Sequence, residues 1–343
     1  MKAQIKPKIN LEERVKLQDV LPLKTPFSML IEPSDKCNFR CKFCPTSDLK
    51  LMQATEGRNY GNMNFDLYKK VIDDIAEFED NLKIVHLYNQ GEPLLNPYFS
   101  NMVEYAKSKK YINKVATTSN AYLLNKELSL RIIQAGLDRI QISIEGINEE
   151  QYFNISNVKI DFNKLVDNIE FFYKNKKECD IFIKIVGNNL NEQEKNKFYK
   201  IFGDICDYIF IENVVPIHSN FEYNLDNNFI DRELSLTGEK VNYVSVCPQI
   251  FYSLTVNSNG TVSPCCNDWS RKLIIGDANR EKIKDIWNGD KLRNLQKLHL
   301  SGGRKNHIAC SSCGVPIYEA IDNIDDYAKE ILSKINKMEL ENR

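Results

Sequence analysis

The sequence predicts an α/β protein in which a partial, TIM-like (β/α)6 barrel precedes a small cysteine-rich C-terminal module. Between residues 27 and 214, short β-branched runs alternate with longer amphipathic stretches, as in repeated βα units around a parallel sheet. After residue 246 the chain instead carries a hairpin signal and five cysteines. The 343 residues, of which 42% are hydrophobic, suffice for a large core and a second module.

Six strands are expected in the first domain, with helical spacing between them. The clearest helix is 65–78, where apolar residues recur every three or four positions. Six βα units are fewer than the eight of a closed barrel, so we expect an open barrel with its site at the carboxyl ends of the strands. The predicted strands are Phe27–Glu32, Ile84–Asn89, Lys114–Ser119, Arg139–Ile144, Ile181–Val186 and Tyr208–Glu212.

The cysteine-rich module has its own signals of local structure. Asn257-Ser-Asn-Gly260 predicts a hairpin turn between Phe251–Val256 and Thr261–Val262. Two short helices are expected at Ile283–Trp287 and Lys291–Leu300. The expected division of the chain is an N-terminal extension (1–26), the partial barrel (27–215), an Asn-rich linker (216–242), the cysteine-rich module (243–316) and a charged C-terminal helix (317–343).

Composition disfavours several classes of protein. Lys and Arg total 46 against 47 Asp and Glu, so the chain has no basic surplus to bind nucleic acid. No signal peptide and no stretch of about 20 apolar residues is present, which predicts a cytoplasmic protein without a membrane partner. Ten cysteines in such a chain favour metal ligation over disulfides.

Three cysteines follow the first predicted strand in the loop Cys37-Asn-Phe-Arg-Cys41-Lys-Phe-Cys44. Thiolates are the usual ligands of iron–sulfur clusters, and three of them leave one iron of a [4Fe-4S] cluster open. Zinc prefers four ligands in paired motifs, so a zinc site or clustered free thiols is the alternative.

This loop resembles that of the radical S-adenosylmethionine (SAM) superfamily. The resemblance implies that the open iron binds SAM, that reductive cleavage yields a 5′-deoxyadenosyl radical, and that this radical takes a hydrogen atom from substrate. It also implies a flavodoxin- or ferredoxin-type reductant.

Polar motifs at the later strand ends are similar to those of the same family. Asn89-Gln-Gly91-Glu92-Pro93 resembles the GEP motif, whose carboxylate favours the SAM ammonium group. Ser143-Ile-Glu145-Gly146 resembles the ribose-contacting motif, and Phe43 the adenine contact. Ordinary polar loops or packing are the alternative for each. The resemblance implies SAM contacts from Phe43, Gly91, Glu92, Pro93, Ser143 and Glu145. At the third strand end, Thr117-Thr-Ser-Asn120 offers hydroxyl and amide groups, so Thr118 and Asn120 are added to the expected SAM contacts.

A second cysteine set resembles the SPASM/twitch extension of radical SAM enzymes, in its shorter form with one auxiliary cluster. The implied ligands are Cys247, Cys265, Cys310 and Cys313, which brings the expected total to two [4Fe-4S] clusters. Cys265 is preferred to Cys266 because its register resembles that of twitch-type amino-cyclitol dehydrogenases. A zinc ribbon is the alternative for this set, and Cys266 is either a packed thiol or a hydrogen-atom donor.

A cluster with four thiolate ligands suits electron transfer, which favours oxidation. The expected reaction converts an alcohol of a sugar or cyclitol to a ketone, and the short N-terminal region disfavours a peptide substrate. Peptide or protein modification, sugar epimerisation and a non-catalytic zinc or iron–sulfur protein are the alternatives. The catalytic base is not identified; weak candidates are Arg232, Cys266, His218 and Glu212, while His299 and His307 are either neighbours of the cluster ligands or surface histidines.

Overall fold

The predicted α/β class is confirmed by a computed structural model, which describes residues 1–8, 14–187, 190–223, 225 and 229–341. Parts of the predicted N-terminal extension, linker and C-terminal helix lie outside these residues. The strands are β1 (Gln4–Ile5), β2 (Ser28–Ile31), β3 (Ile84–His86), β4 (Val115–Ser119), β5 (Arg139–Ile144), β6 (Asp180–Val186), β7 (Tyr208–Glu212), β8 (Ser253–Val256), β9 (Thr261–Ser263) and β10 (Gly276–Asp277).

The ten strands of the described ranges belong to one open sheet, in the order β1-β7-β6-β5-β4-β3-β2-β8-β9-β10. The six predicted strands correspond to β2 to β7, which lie side by side and parallel. The predicted hairpin is β8 and β9, which pair antiparallel. Two pairings were not predicted, because β1 adds to β7 and β8 adds parallel to β2. The cysteine-rich module therefore continues the barrel sheet.

Helices connect the parallel strands and cover one face of the sheet. In the part of the chain that the structure describes, none of them is long and apolar enough to cross a bilayer. The helices are α1 (Leu17–Val20), α2 (Leu49–Ala54), α3 (Phe65–Asp74), α4 (Phe99–Lys107), α5 (Lys126–Ala135), α6 (Glu149–Ser156), α7 (Phe162–Asn175), α8 (Glu192–Phe202), α9 (Ile283–Asn288), α10 (Asp290–Leu300), α11 (Val315–Tyr318) and α12 (Ala328–Glu341).

Capping residues account for several helix ends. Asn125 accepts a hydrogen bond from the Leu128 backbone at the start of α5, and Gly136 ends that helix in the left-handed conformation. Asn191 and Glu194 form a capping box on α8. The predicted helix over 65–78 is shorter than expected, since α3 ends at Asp74 and continues as a 3₁₀ turn.

The C-terminal helix also begins later than predicted. A short helix, α11, and a non-helical stretch precede α12, so residues 319–324 are not helical. The carboxylate of Asp325 accepts hydrogen bonds from the backbone of Ser245 and Val246, and Asn323 accepts one from the Asp325 backbone. The bonds from Ser245 and Val246 tie the segment ahead of α12 to the cysteine-rich module.

The sheet separates apolar from polar side chains. On β5, Ile140, Ile142 and Ile144 are buried in the same hydrophobic core as the covering helices. Because side chains alternate along a strand, Gln141 and Ser143 lie on the opposite face, inside the barrel. The interior thus carries polar groups at the strand ends, where the predicted site residues lie.

A buried ion-pair network joins the barrel to the cysteine-rich module. Glu32, directly after β2, accepts hydrogen bonds from the backbone of Gln90 and Ser258 and pairs with Arg271 over 2.8 Å. Arg271 also lies 3.6 Å from Asp35, which pairs with Arg58. All four charged side chains are at most 1% exposed.

Replacing Arg271 with methionine is expected to lower the free energy of unfolding by about 3–5 kcal/mol, because Glu32 and Asp35 would keep their buried charge with less compensation. Urea unfolding of the anaerobically purified protein measures this change. The matched control is Arg280→Met, whose side chain is 86% exposed and whose loss should matter by less than about 0.5 kcal/mol. Equal midpoints for both variants would contradict the assigned role of the network.

Candidate active site

Cys37, Cys41 and Cys44 lie together in the loop after β2. Backbone bonds from Arg40 to the Ser156 carbonyl (2.8 Å) and from Lys42 to the Ile155 carbonyl (3.0 Å) hold the loop against the end of α6. The charges of the three sulfur atoms act on one another. The loop therefore presents three thiols at the carboxyl end of the barrel.

Burial makes these thiols poor acids by themselves. It raises the pKa of Cys37 to about 12 and that of Cys41 well above its usual value, and the carboxylates of Glu92 and Glu145 add to the respective shifts. Burial also raises the pKa of Cys44. Thiolate ligation here thus requires a bound positive centre, and an iron–sulfur cluster supplies one.

The Gly91-Glu92-Pro93 motif packs directly under the cysteine loop. A Cβ atom on Gly91 would collide with the carbonyl oxygens of Ser34 and Lys36, so only glycine permits this approach. Glu92 is 3% exposed, and its carboxylate accepts hydrogen bonds from Ser119 Oγ (2.7 Å), the Asn120 backbone (2.9 Å) and the Leu94 backbone (3.1 Å). Burial raises the pKa of Glu92 to about 7.

Several polar atoms at the strand ends are buried without a partner in the described residues. They are Thr118 Oγ1, Glu145 Oε2 and Asn38 Nδ2. Glu145 also lines a cavity of about 210 Å³, and burial raises its pKa to about 7. Because buried polar groups are nearly always paired, these atoms fit a site for a polar ligand such as SAM.

The other residues expected to contact SAM lie at the same end of the barrel. Asn120 Nδ2 donates to Asn38 Oδ1 over 2.8 Å, and Ser143 lies on β5 two residues before Glu145. Pro93 is buried in a 3₁₀ turn. Phe43 packs against the small apolar cluster of Val214, Phe229 and Ile230.

Four cysteines of the second set line one cavity in the module. These are Cys247, Cys265, Cys310 and Cys313, and burial raises the pKa of each thiol. Cys266 is not among the residues that line the cavity, and its thiol donates to Gln249 Oε1 over 3.5 Å. Of the two adjacent cysteines, Cys265 is therefore the one that lines the cavity.

Polar side chains line this cavity beside the four thiols. Asn267 Nδ2 lies 3.2 Å from Cys313 Sγ, and both ring nitrogens of His299, which lines the cavity, are buried without a partner in the described residues. Across the described ranges, no three His, Cys, Asp or Glu side chains converge on a position for a single metal ion. Thiols spread around a cavity fit an iron–sulfur cluster, whose irons take one thiolate each.

The barrel interior holds a cluster of four charged residues and one tyrosine. We call it the interior cluster, and its members are Lys8, Tyr88, Lys184, Glu212 and Glu319. Lys8 Nζ donates to Tyr88 over 2.9 Å, and Lys184 pairs with Glu212. Glu319 has no hydrogen bond or ion pair to its carboxylate within the described residues, and the charges of Lys8, Glu212 and Lys184 act on it. Burial raises the pKa of Glu319.

Of the predicted candidates for a catalytic base, Glu212 belongs to the interior cluster and Cys266 lies near it, whereas Arg232 and His218 are not part of it. Arg232 is exposed. His218 stacks on Tyr223, and burial lowers its pKa to about 4. The Glu212 carboxylate forms an ion pair with Lys184, and the charges of Glu319 and Lys8 act on the Cys266 thiol.

Two family models match the chain. The model of the radical SAM superfamily matches residues 31–200, and that of an iron–sulfur cluster-binding domain, SPASM, matches residues 247–314. Together they match more than two thirds of the sequence. The chain belongs to the radical SAM superfamily. It is a radical SAM enzyme of the SPASM/twitch kind, and its domains imply SAM and iron–sulfur clusters as cofactors.

Solved structures share this radical SAM fold. BtrN in complex with AdoMet and 2-DOIA is 19% identical, with a TM-score of 0.52 over 84% of this chain and 92% of BtrN. SuiB of Streptococcus suis, bound to the precursor peptide SuiA, is 14% identical, with a TM-score of 0.60 over 91% of this chain and 75% of SuiB. At these identities the likeness shows the fold alone.

Curated relatives match over shorter segments. A tungsten-containing aldehyde ferredoxin oxidoreductase cofactor-modifying protein of Pyrococcus furiosus is 28% identical over 36% of this chain and 32% of its own. The GTP 3′,8-cyclase of Clostridium acetobutylicum is 26% identical over 54% of this chain and 56% of its own. The matched segments thus span between a third and just over half of these relatives.

Sequence reasoning missed most of the interior cluster. Lys184 carried a usable signal, because a lysine inside the β-branched run Ile181-Phe-Ile-Lys-Ile-Val186 marks an inward position. Lys8 and Glu319 carried none, since they reach the interior from irregular segments at opposite ends of the chain.

We expect Gly91→Ala to reduce SAM cleavage by about 100-fold, because the added methyl group would push the cysteine loop away from the motif. 5′-Deoxyadenosine released under dithionite measures the effect. Gly61→Ala is the control, since a Cβ there would lie 3.1 Å from the movable side chain of Asn59. Normal cleavage by the Gly91 variant would show that the close approach is dispensable.

Proposed function

We propose that this radical SAM enzyme oxidises an alcohol of a small polyhydroxylated molecule, a sugar or cyclitol, to a ketone. The observation that carries the proposal is the interior cluster, in which the Glu319 carboxylate has no hydrogen bond or ion pair within the described residues and acts electrostatically on Cys266 and Cys313. A hydroxyl-bearing substrate needs hydrogen-bonding groups and a proton acceptor, and the barrel interior supplies both.

The proposed cofactors are two [4Fe-4S] clusters and SAM. Cys37, Cys41 and Cys44 would hold the catalytic cluster, and Cys247, Cys265, Cys310 and Cys313 the auxiliary one. When bound, SAM and the clusters supply a 5′-deoxyadenosyl radical, an electron acceptor and the electrons delivered by a flavodoxin- or ferredoxin-type reductant. The proposed SAM contacts are Phe43, Gly91, Glu92, Pro93, Thr118, Asn120, Ser143 and Glu145.

The number of cysteines on the auxiliary cavity supports oxidation as the reaction type. Four thiolates complete the coordination of a four-iron cluster, which leaves no iron open for substrate. Electron transfer is the remaining role for such a cluster.

We place the radical domain at residues 27–215 and the auxiliary domain at 243–316, with the linker between them.

The interior cluster favours a small polar substrate without a large net charge. Lys8 and Lys184 are balanced by Glu212 and Glu319, and Tyr88 adds a hydroxyl group. The BtrN structure, which holds AdoMet together with the small molecule 2-DOIA, agrees with this substrate class. Peptide modification is the second candidate, favoured by the likeness to SuiB bound to its precursor peptide.

Glu319 is the proposed acceptor of the hydroxyl proton. Its carboxylate has no hydrogen bond or ion pair within the described part of the chain, and burial raises its pKa toward the range in which general bases are effective. The substrate alcohol would lose one hydrogen atom from carbon, one proton from oxygen to Glu319, and one electron to an iron–sulfur cluster. The sum of these losses is a ketone.

The two cysteine sets should be separable by substitution. Changing Cys37, Cys41 and Cys44 to alanine should abolish 5′-deoxyadenosine formation, because no catalytic cluster forms. Changing Cys310 and Cys313 to alanine should spare cleavage but abolish the ketone. Chromatography of both products, with a panel of cyclitols and sugars as substrates, tests this contrast. SAM cleavage without a ketone from any member of the panel, but with a modified peptide, would favour the second candidate.

Glu319→Gln should lower ketone formation by about 10²–10⁴-fold while 5′-deoxyadenosine still forms, because hydrogen abstraction needs no base. The ratio of ketone to 5′-deoxyadenosine measures this uncoupling. Glu330→Gln is the matched control, on the exposed face of α12. A wild-type ratio in the Glu319 variant would exclude it as the base.

A further inference from the structure

His299 occupies an unusual position at the end of α10. It is 1% exposed, lines the cavity of the four module cysteines, and has neither ring nitrogen paired within the described residues. A buried polar group without a partner costs about 1–3 kcal/mol. The position therefore calls for a hydrogen-bonding partner inside the cavity.

Neighbouring donors are already engaged. Arg304, which lines the same cavity, donates to the carbonyls of Ser245 and Cys310 and to the hydroxyl of Tyr243. Asn267 donates to the Ile217 carbonyl and to Cys313 Sγ. Burial lowers the pKa of His299 to about 3, and an imidazole ring has an N–H to donate whether it is neutral or protonated.

We infer that His299 donates a hydrogen bond to a sulfur of the auxiliary cluster and thereby makes that cluster a better electron acceptor. The inference rests on the proposed function, which supplies the cluster. Reduction adds negative charge to the cluster and its sulfurs. A hydrogen bond to sulfur stabilises the reduced form more than the oxidised form, which raises the reduction potential.

This role is one of positioning and tuning rather than of bond making. An electron leaves the substrate only if the acceptor's potential is high enough. In this arrangement His299 sets the driving force of the oxidation while remaining remote from the substrate. Replacing His299 should therefore change the reduction potential of the cluster, and this change can be measured without enzyme turnover.

The test uses the full chain with Cys37, Cys41 and Cys44 changed to alanine, so that only the auxiliary cluster is present. In this background His299→Phe should shift the midpoint of an EPR-monitored redox titration to a more negative value. Loss of one hydrogen bond to a charged group corresponds to about a tenfold fall in the equilibrium constant for reduction, or about 59 mV for one electron.

His299→Gln, which keeps an amide donor, should fall between the wild-type and phenylalanine midpoints. His307→Gln is the matched control, because the His307 ring accepts a hydrogen bond from the Ala309 backbone and does not line the cavity. Its midpoint should not move. A purely structural role for His299 would lower iron content in the phenylalanine variant without this graded shift.

Pulsed EPR on ¹⁵N-histidine-labelled protein supplies a measurement that needs no variant at position 299. A weak ¹⁵N coupling to the reduced cluster supports the inference, whereas no coupling, or the strong coupling of direct iron ligation, overturns it. If the triple-alanine background takes up no iron, the proposed auxiliary cluster is wrong. If it takes up about four irons and the His299→Phe midpoint is unchanged, only the role of His299 fails.

Discussion

The buried pairing of Glu32 with Arg271 is the interaction on which the arrangement of the site depends. One carboxylate accepts from the backbone after β3, from the turn between β8 and β9, and from a guanidinium group of the module. Breaking this pair would leave an uncompensated charge at a position with no access to water. The sheet pairing of β2 with β8 and this ion pair together hold the loop of Cys37 beside the module that carries Cys265.

One face of the sheet packs into the hydrophobic core, and the other face carries the polar groups of the candidate site. Isoleucines of β5 and β6 pack under the helices, so the core does not depend on the barrel interior. The interior carries Lys184 and Glu212 on neighbouring strands, Lys8 from the N-terminal segment and Glu319 from the segment after Cys313. Thr118 Oγ1 and Glu145 Oε2 are buried without a partner among the described residues, which lowers stability in the protein alone, and a polar ligand would offset that cost.

Much of the fold was predictable because its signals are local. The observed bounds of β5 and β7 are those predicted, and the other four barrel strands differ by a few residues at their ends. The alternation of apolar and polar residues, the β-branched composition of strands and the turn residues are each determined by a few neighbouring positions. They can therefore be recognised in the sequence. The pairing of β8 with β2 was not predicted, because no residue pattern within Ser253–Val256 indicates which edge of the barrel sheet this strand joins.

By itself, the sequence determined the chemistry of the ligands: three closely spaced cysteines, a glycine that permits close backbone approach, and a second cysteine set. Tertiary structure alone decided which groups meet. It placed Cys265 rather than Cys266 on the auxiliary cavity, and it brought Arg271 to Glu32 across 239 residues and Lys8 to Tyr88 across 80. The physical reason is that ligand type and spacing are properties of neighbouring residues, whereas the pairing of buried charges depends on how distant segments pack.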